Sequence, residues 1–204
     1  KDSVLSVVPS ITIVARAGDN AVICQETGSV VIDGNASSGS FSYKWYKLSD
    51  NFKNLNIPQQ IWVSSIALSH FDKNTIYVTL DNHMYGDHNT YLIKSSDAGK
   101  SWEQIKNKEF TGFAHKIIED PINKNLLFLG TEMGLFCSLD AGLSWFRMKN
   151  NFPEFALVRD LQIHPTQNAL IIGTHGRGIF IYDDISIMRT MTQEILDKDV
   201  HLFT

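Results

Sequence analysis

Cysteine is nearly absent: Cys24 and Cys137 are the only two in 204 residues, and their separation excludes a disulfide framework. So little cysteine suits a cytoplasm and, equally, a bacterial exported protein that relies on large sheets. No apolar run approaches the roughly 20 residues that a membrane-spanning helix needs. The opening KDSVLSVVPS lacks the charged-then-apolar build of a signal peptide, so any export signal has already been removed. Charge of one sign is nowhere gathered: 18 basic and 22 acidic side chains are scattered along the chain, which speaks against nucleic acid or an acidic membrane as partner. Nucleophile elbows, a Ser-His-Asp order and thiolate motifs are missing. The glycine-rich Gly173–Gly178 segment lies between two strands with no helix start after it, a poor phosphate cradle. His83, Asp87 and His88 fall in a loop at a spacing that matches no recognised metal site. No cofactor and no metal is expected.

What the chain does hold is a hydrophobic content of 43%, ample for a core, and an internal repeat. Three units align: VSSIALSHFDKNTIYVTLD from Val63, HKIIEDPINKNLLFLGTE from His115 and VRDLQIHPTQNALIIGTH from Val158. Each reads as an alternating strand, a polar turn and a second apolar strand ending in Thr. The first two run on into YLIKSSDAGKSW from Tyr91 and GLFCSLDAGLSW from Gly134. Asp97 to Asp140 and Trp102 to Trp145 are both 43 residues, a period that fits four short antiparallel strands per propeller blade. The third unit continues as GRGIFIYDDIS, with Asp183 near the box position but without the Gly and Trp. Thr79 and Thr131 stand 52 residues apart against 43 for Thr131 and Thr174, so DNHMYGDHNT, from Asp81 to Thr90, is an insertion in the first unit.

Residues 1–46 differ, with alternation at Ser29–Ile32, turn signals at Asp33-Gly34 and Ser38-Gly39, and an aromatic strand Phe41–Tyr46. They read as a small β-sandwich-like segment. Residues 47–188 hold the blades. Residues 189–204 form a tail or linker, with a short helix over Thr192–Leu196 as one option. The fold expectation is therefore all-β: a partial propeller of about three four-stranded blades behind an N-terminal β segment.

The paired S-x-D-x-G-x-S-W turns resemble the Asp-box or BNR repeats of sialidases, xyloglucanase-type glycosidases and sortilin-type propellers. LFLGTEMGLFCSLDAGLSW together with IIGTHGRGIFIYDD looks most like the sortilin-like propellers of bacterial exported proteins. ARAGDNAVICQETGSVVIDGNASSGSFSYKWY is similar to the PKD-like, immunoglobulin-like modules that accompany them. The resemblance implies a secreted or cell-surface protein.

Physically, the turn residues do fold chemistry. Asp97 and Asp140 can accept backbone N–H groups across a tight loop, Gly99 and Gly142 can supply positive φ, and Ser95, Ser101, Ser138 and Ser144 can tie the same backbone. Trp102 and Trp145 then fill the space between sheets. The sharper functional expectation comes from repeat equivalence, which puts the residues after the aligned strand on one rim. These are Asp81, Asn82, His83 and Asp87 in the first unit, Glu132 in the second, and His175 with Arg177 in the third. They form a candidate binding rim, with no catalytic residue assigned.

The leading functional expectation is a non-catalytic module that binds protein or glycan. The alternative is a fragment of a sialidase- or xyloglucanase-like glycoside hydrolase with a carboxylate pair in the mouth, for which Asp81, Asp87 and Glu132 are the rim candidates. The five arginines, Arg16, Arg147, Arg159, Arg177 and Arg189, are too dispersed for a sialidase-like carboxylate clamp. A propeller closes with about four to eight blades. Three units therefore call for further blades, from additional sequence, a partner chain or self-association.

Overall fold

The computed structural model describes residues 54–58, 61–191 and 195. The expected β segment over residues 1–46, with Cys24, lies outside the described residues, as does most of the tail. Three antiparallel sheets follow one another along the chain. Sheet A contains β1 (Trp62–Leu68), β2 (Ile76–Asn82), β3 (Asp87–Ser95) and β4 (Glu103–Ile105). Sheet B contains β5 (Ala114–Glu119), β6 (Leu127–Thr131), β7 (Gly134–Ser138) and β8 (Phe146–Arg147). Sheet C contains β9 (Val158–Ile163), β10 (Leu170–Thr174) and β11 (Ile179–Tyr182), one strand fewer than expected. Every strand pairs with its predecessor in the chain. β5 lies against β1 on one side and β9 on the other, so the first strand of each sheet is innermost. This is the architecture of a partial β-propeller.

Alternation explains why the sheets stack. Side chains along a strand point to opposite faces, and here both faces are apolar. On β2, Tyr77 joins Leu92 in packing against Ile117, Leu129, Phe136 and Trp145 of sheet B. The other face of sheet A, with Val78, Leu80 and Ile93, is covered in part by Leu55, Ile57, Ile61 and Trp102. Phe128, Leu135 and Cys137 pack against Leu161, Leu170 and Ile172 of sheet C. Approach is closest at Gly130, where a Cβ would come within 2.5 Å of Val158 Cγ1; only glycine allows β6 and β9 to sit so near.

The ladders correct the sequence register by one position in two places. Ile76 pairs with Ser95 and Leu127 with Ser138, so Thr79 corresponds to Gly130 and Leu80 to Thr131. Likewise Val63, Ala114 and Val158 are equivalent, since they pair with Leu80, Thr131 and Thr174. Leu170 pairs with Tyr182, which places Asp184, not Asp183, at the position of Asp97 and Asp140. The Thr79 and Thr131 alignment failed because a repeated residue type was taken for a repeated position.

Sheet C ends differently. In sheet B, Phe128, Leu135 and Cys137 are all 0% exposed. Their counterparts in sheet C are Ile171, half-buried, and Ile179 and Ile181, which are 72% and 57% exposed. That face and the edge of β11 carry no sheet among the described residues. After β11 the chain enters a short helix, α1 (Ser186–Thr190), ahead of the helix considered at Thr192. Arg189 of α1 reaches back to sheet B, donating to both oxygens of Asp120 at 2.8–3.0 Å. Asn123 answers by donating to the Arg189 carbonyl at 2.7 Å.

A candidate binding rim between sheets A and B

The two tryptophan-ended turns lie on one edge of the propeller, and their bonds repeat almost atom for atom. The Ser95 hydroxyl donates to Asp97 Oδ1 at 2.8 Å and accepts the Gly99 N–H at 2.8 Å. Ser138, Asp140 and Gly142 do the same at 2.8 and 2.8 Å. Asp97 accepts both the N–H and the hydroxyl of Ser101, as Asp140 does from Ser144. The indoles of Trp102 and Trp145 donate to the carbonyls of Gly99 and Gly142 at 3.1 and 3.0 Å. Gly99 and Gly142 take positive φ as expected, and Ala98 and Ala141 before them do so as well, at 60° and 59°. An alanine tolerates that region only when its surroundings hold it there. The Ser101 hydroxyl and N–H pull the Asp97 carboxyl down to about 2. Burial works to raise Asp140, but the bonds from Ser144 and Ser138 outweigh it and hold the group below its usual range. Burial pushes the Cys137 thiol well up, so it is no nucleophile at neutral pH.

The opposite edge is built on a device that the sequence hides. Each innermost strand carries a bulge at the same place: the ladder skips Ser64 between Val63 and Ser65, His115 between Ala114 and Lys116, and Arg159 between Val158 and Asp160. A bulge re-aims the extra side chain and sharpens the twist. Ser64 uses its position to donate to Thr79 Oγ1 at 2.9 Å and to the Ala114 carbonyl at 2.7 Å, which clamps β1 to β5.

Around these bulges the rim residues of the first two units gather. The inserted segment forms a 3-10 turn, His83–Tyr85, closed by Gly86 at φ 74°. Asn82 pairs across it with Asp87. The His83 ring sits 2.7 and 2.8 Å from the two Asp81 oxygens through Nδ1 and stacks on Phe113 at 4.5 Å. His88 Nδ1 lies 3.0 Å from Glu132 Oε2, and its ring is tilted on the same phenylalanine. His115 meets Phe113 edge-on at 4.8 Å. Three imidazoles thus surround one buried aromatic ring, which wedges them apart. Among the described residues no three His, Cys, Asp or Glu side chains converge on a point that could hold a metal ion.

Burial and the nearby Arg159 guanidinium lower His115 to about 4, against the smaller opposing pull of Asp81 and Glu132. It is therefore neutral at physiological pH. Its Nε2 is buried with no partner, as is Asn82 Oδ1. Asp87 feels burial that would raise it, yet bonds from Asn89, Asn82 and Tyr91 leave it below the usual range.

Of the sequence-predicted rim residues, Asp81, Asn82, His83, Asp87 and Glu132 lie together. His175 and Arg177 occupy the β10–β11 connection on the same edge, exposed. Their side chains make no hydrogen bond or ion pair among the described residues. Sequence reasoning missed His115, Arg159, Phe113 and Trp62. A signal existed in the register: once Val63, Ala114 and Val158 are aligned, Ser64, His115 and Arg159 form a column of polar residues.

Stacked antiparallel sheets of three or four strands, with innermost first strands and a polar rim, define a segment of a β-propeller. The profile of the Sortilin-Vps10 family, described as sortilin, neurotensin receptor 3, matches residues 90–194, just over half of the sequence. The chain belongs to that family. No curated protein matches it. Among solved structures, it is similar to the GH74 enzyme of Niastella koreensis, with 23% identity and a TM-score of 0.50 over 60% of this chain and 21% of that one. The GH74 xyloglucanase of Xanthomonas campestris is 14% identical, with a TM-score of 0.49 over 60% and 22%. YCF48 bound to D1 peptide is 14% identical, with a TM-score of 0.44 over 61% and 37%. The aligned part spans about a fifth of the length of the two GH74 proteins, and likeness at this identity shows the fold alone.

Proposed function

We propose that this chain is a non-catalytic binding module, part of a secreted or cell-surface propeller protein, that seats a protein or glycan ligand on the rim between sheets A and B. One observation carries the reading: each rim carboxylate already has an intramolecular partner. Asp81 is taken by His83, Glu132 by His88 and Asp87 by Asn82, Asn89 and Tyr91. Glycoside hydrolysis needs one carboxyl group kept protonated by a raised pKa and a second facing it across the sugar. Asp87 is shifted the wrong way, and Asp81 and Glu132 are each already engaged by an imidazole. The export reading draws on the sortilin-like resemblance; no described helix is long and apolar enough to cross a membrane.

The bare face of sheet C supports a companion proposal, that at least one further blade covers Ile171, Ile179 and Ile181 as sheet C covers Phe128, Leu135 and Cys137. The functional test is turnover against binding. Neutral and sialylated oligosaccharides incubated with the protein should survive intact by chromatography. Hydrolysis that disappears in Asp81→Asn or Glu132→Gln would sink the binding-module reading and restore the hydrolase one.

A further inference from the structure

Deepening that reading, which it rests on, we infer that the rim between sheets A and B recognises a basic side chain, Arg or Lys, displayed by a protein ligand. The argument is a count of donors and acceptors. Since a carboxylate oxygen only accepts, the short contacts assign Nδ1–H of His83 to Asp81 and Nδ1–H of His88 to Glu132. That leaves Nε2 of each ring without a partner among the described residues, a position that accepts in the neutral imidazole. Both rings stand partly in solvent, while the two carboxylates behind them are largely covered. Asn82 donates its amide N–H to Asp87, so its carbonyl Oδ1, the atom without a partner, is a further acceptor.

Two of these polar residues are not surface features. Asn82 is 5% exposed and His115 is 6% exposed, and each has one buried, unpartnered polar atom. A polar group in that state costs about 1–3 kcal/mol, and the cluster holds two of the four such atoms among the described residues, the others being Gln104 Oε1 and Arg147 Nε. No Lys or Arg is paired with Asp81, Asp87 or Glu132 among the described residues. The cluster therefore carries three carboxylates that no described cation pairs with directly, with the Arg159 guanidinium near its His115. Trp62, directly opposite Asp81 in the ladder and 39% exposed, adds an aromatic face of the kind that attracts a guanidinium or ammonium. The basic residues of this edge, Arg159 and Arg177, stand on sheet C and its hairpin. They repel a second cation from that side and set the ligand's basic group between A and B.

The probe is a set of fluorescein-labelled octapeptides identical except for a central Arg, Lys, Gln or Glu, with a neutral β-glucan hexasaccharide as the non-peptide arm. Affinities are measured by anisotropy and calorimetry on the full 204-residue chain. The Arg and Lys peptides should bind at least tenfold more tightly than the Gln and Glu peptides, and should weaken at least threefold between 50 and 500 mM salt (roughly one screened charge pair). Glu132→Gln should remove most of that preference. His88→Arg, at an exposed position, should remove it too by planting a guanidinium beside Glu132. Preference for Glu, or rim-dependent binding of the hexasaccharide alone, overturns the basic-side-chain inference and leaves the binding module standing. If neither substitution alters the affinity of any probe, the inference and the module fall together.

Discussion

The two edges of this propeller solve the polar-group problem in opposite ways. On the edge with the tryptophan-ended turns, Ser, Asp, backbone N–H and indole N–H are matched one to one in both copies. At the same edge a buried ion pair, Asp120 with Arg189, is completed by Ile122 and Asn123 N–H bonds and by Asn168. The rim edge instead keeps His115 Nε2 and Asn82 Oδ1 unpaired. A saturated network holds sheets in register; an unsaturated one costs about 1–3 kcal/mol for each buried group left unpaired. Stability should therefore be concentrated at one edge and recognition at the other.

The largest effects should come from the saturated edge. Trp145→Ala removes a buried indole from the A–B seam and should cost about 3–5 kcal/mol in urea unfolding, more than Trp102→Ala, since Trp102 is only half-buried. Asp120→Ala should cost a similar amount, about 3–5 kcal/mol, because it strands the Arg189 guanidinium without its partner. Asp140→Ala ranks below both, at about 1–3 kcal/mol for the lost bonds from Ser144 and Ser138. If rim substitutions such as Glu132→Gln destabilised the fold more than these do, the division of labour between edges would be wrong.

Much of the saturated edge was legible in the sequence because it is written in contiguous residues. Ser, Asp, Gly, Ser and Trp at fixed offsets specify a single turn, and two copies 43 residues apart specify a blade. Half of the rim was legible too, since Asp81, His83 and Glu132 follow directly on apolar strands. The rest was not, because it depends on bulges. A single skipped residue in β1, β5 and β9 turns Ser64, His115 and Arg159 out of the ladder, and no local pattern announces it. Thr79 was misaligned with Thr131 because a repeated residue type was taken for a repeated position. Phe113 and Trp62 read as ordinary core and strand residues until the fold sets them beside Asp81 and His83. The third rim pair, His175 and Arg177, was read correctly as to edge, but it belongs to the neighbouring sheet and shares no contact with the cluster.

Acid should separate the edges by pH. Asp97 sits at about 2 when folded against 3.8 for the free group. Its stabilisation is thus complete above about pH 4 and is lost as pH falls toward 2. His115 is lowered to about 4 from 6.5, so between those values the unfolded chain binds the extra proton and stability rises with pH. Urea midpoints should accordingly climb from pH 4 to pH 6.5 and then level off.

His115→Leu gives the smallest expected effect and the sharpest reading of the comparison. The substitution deletes a buried imidazole whose Nε2 has no partner and which packs edge-on against Phe113. Replacing an unsatisfied buried polar group by an apolar one of similar size is close to neutral or stabilising, by about 1 kcal/mol. The variant should unfold no earlier than the parent at pH 7, and its midpoint should lose the climb between pH 4 and 6.5. A structural histidine would show the reverse, a loss of stability at neutral pH. A gain in stability accompanied by weaker binding of the Arg peptide would mean that the strain at this bulge is retained for recognition, as the contrast between the two edges requires.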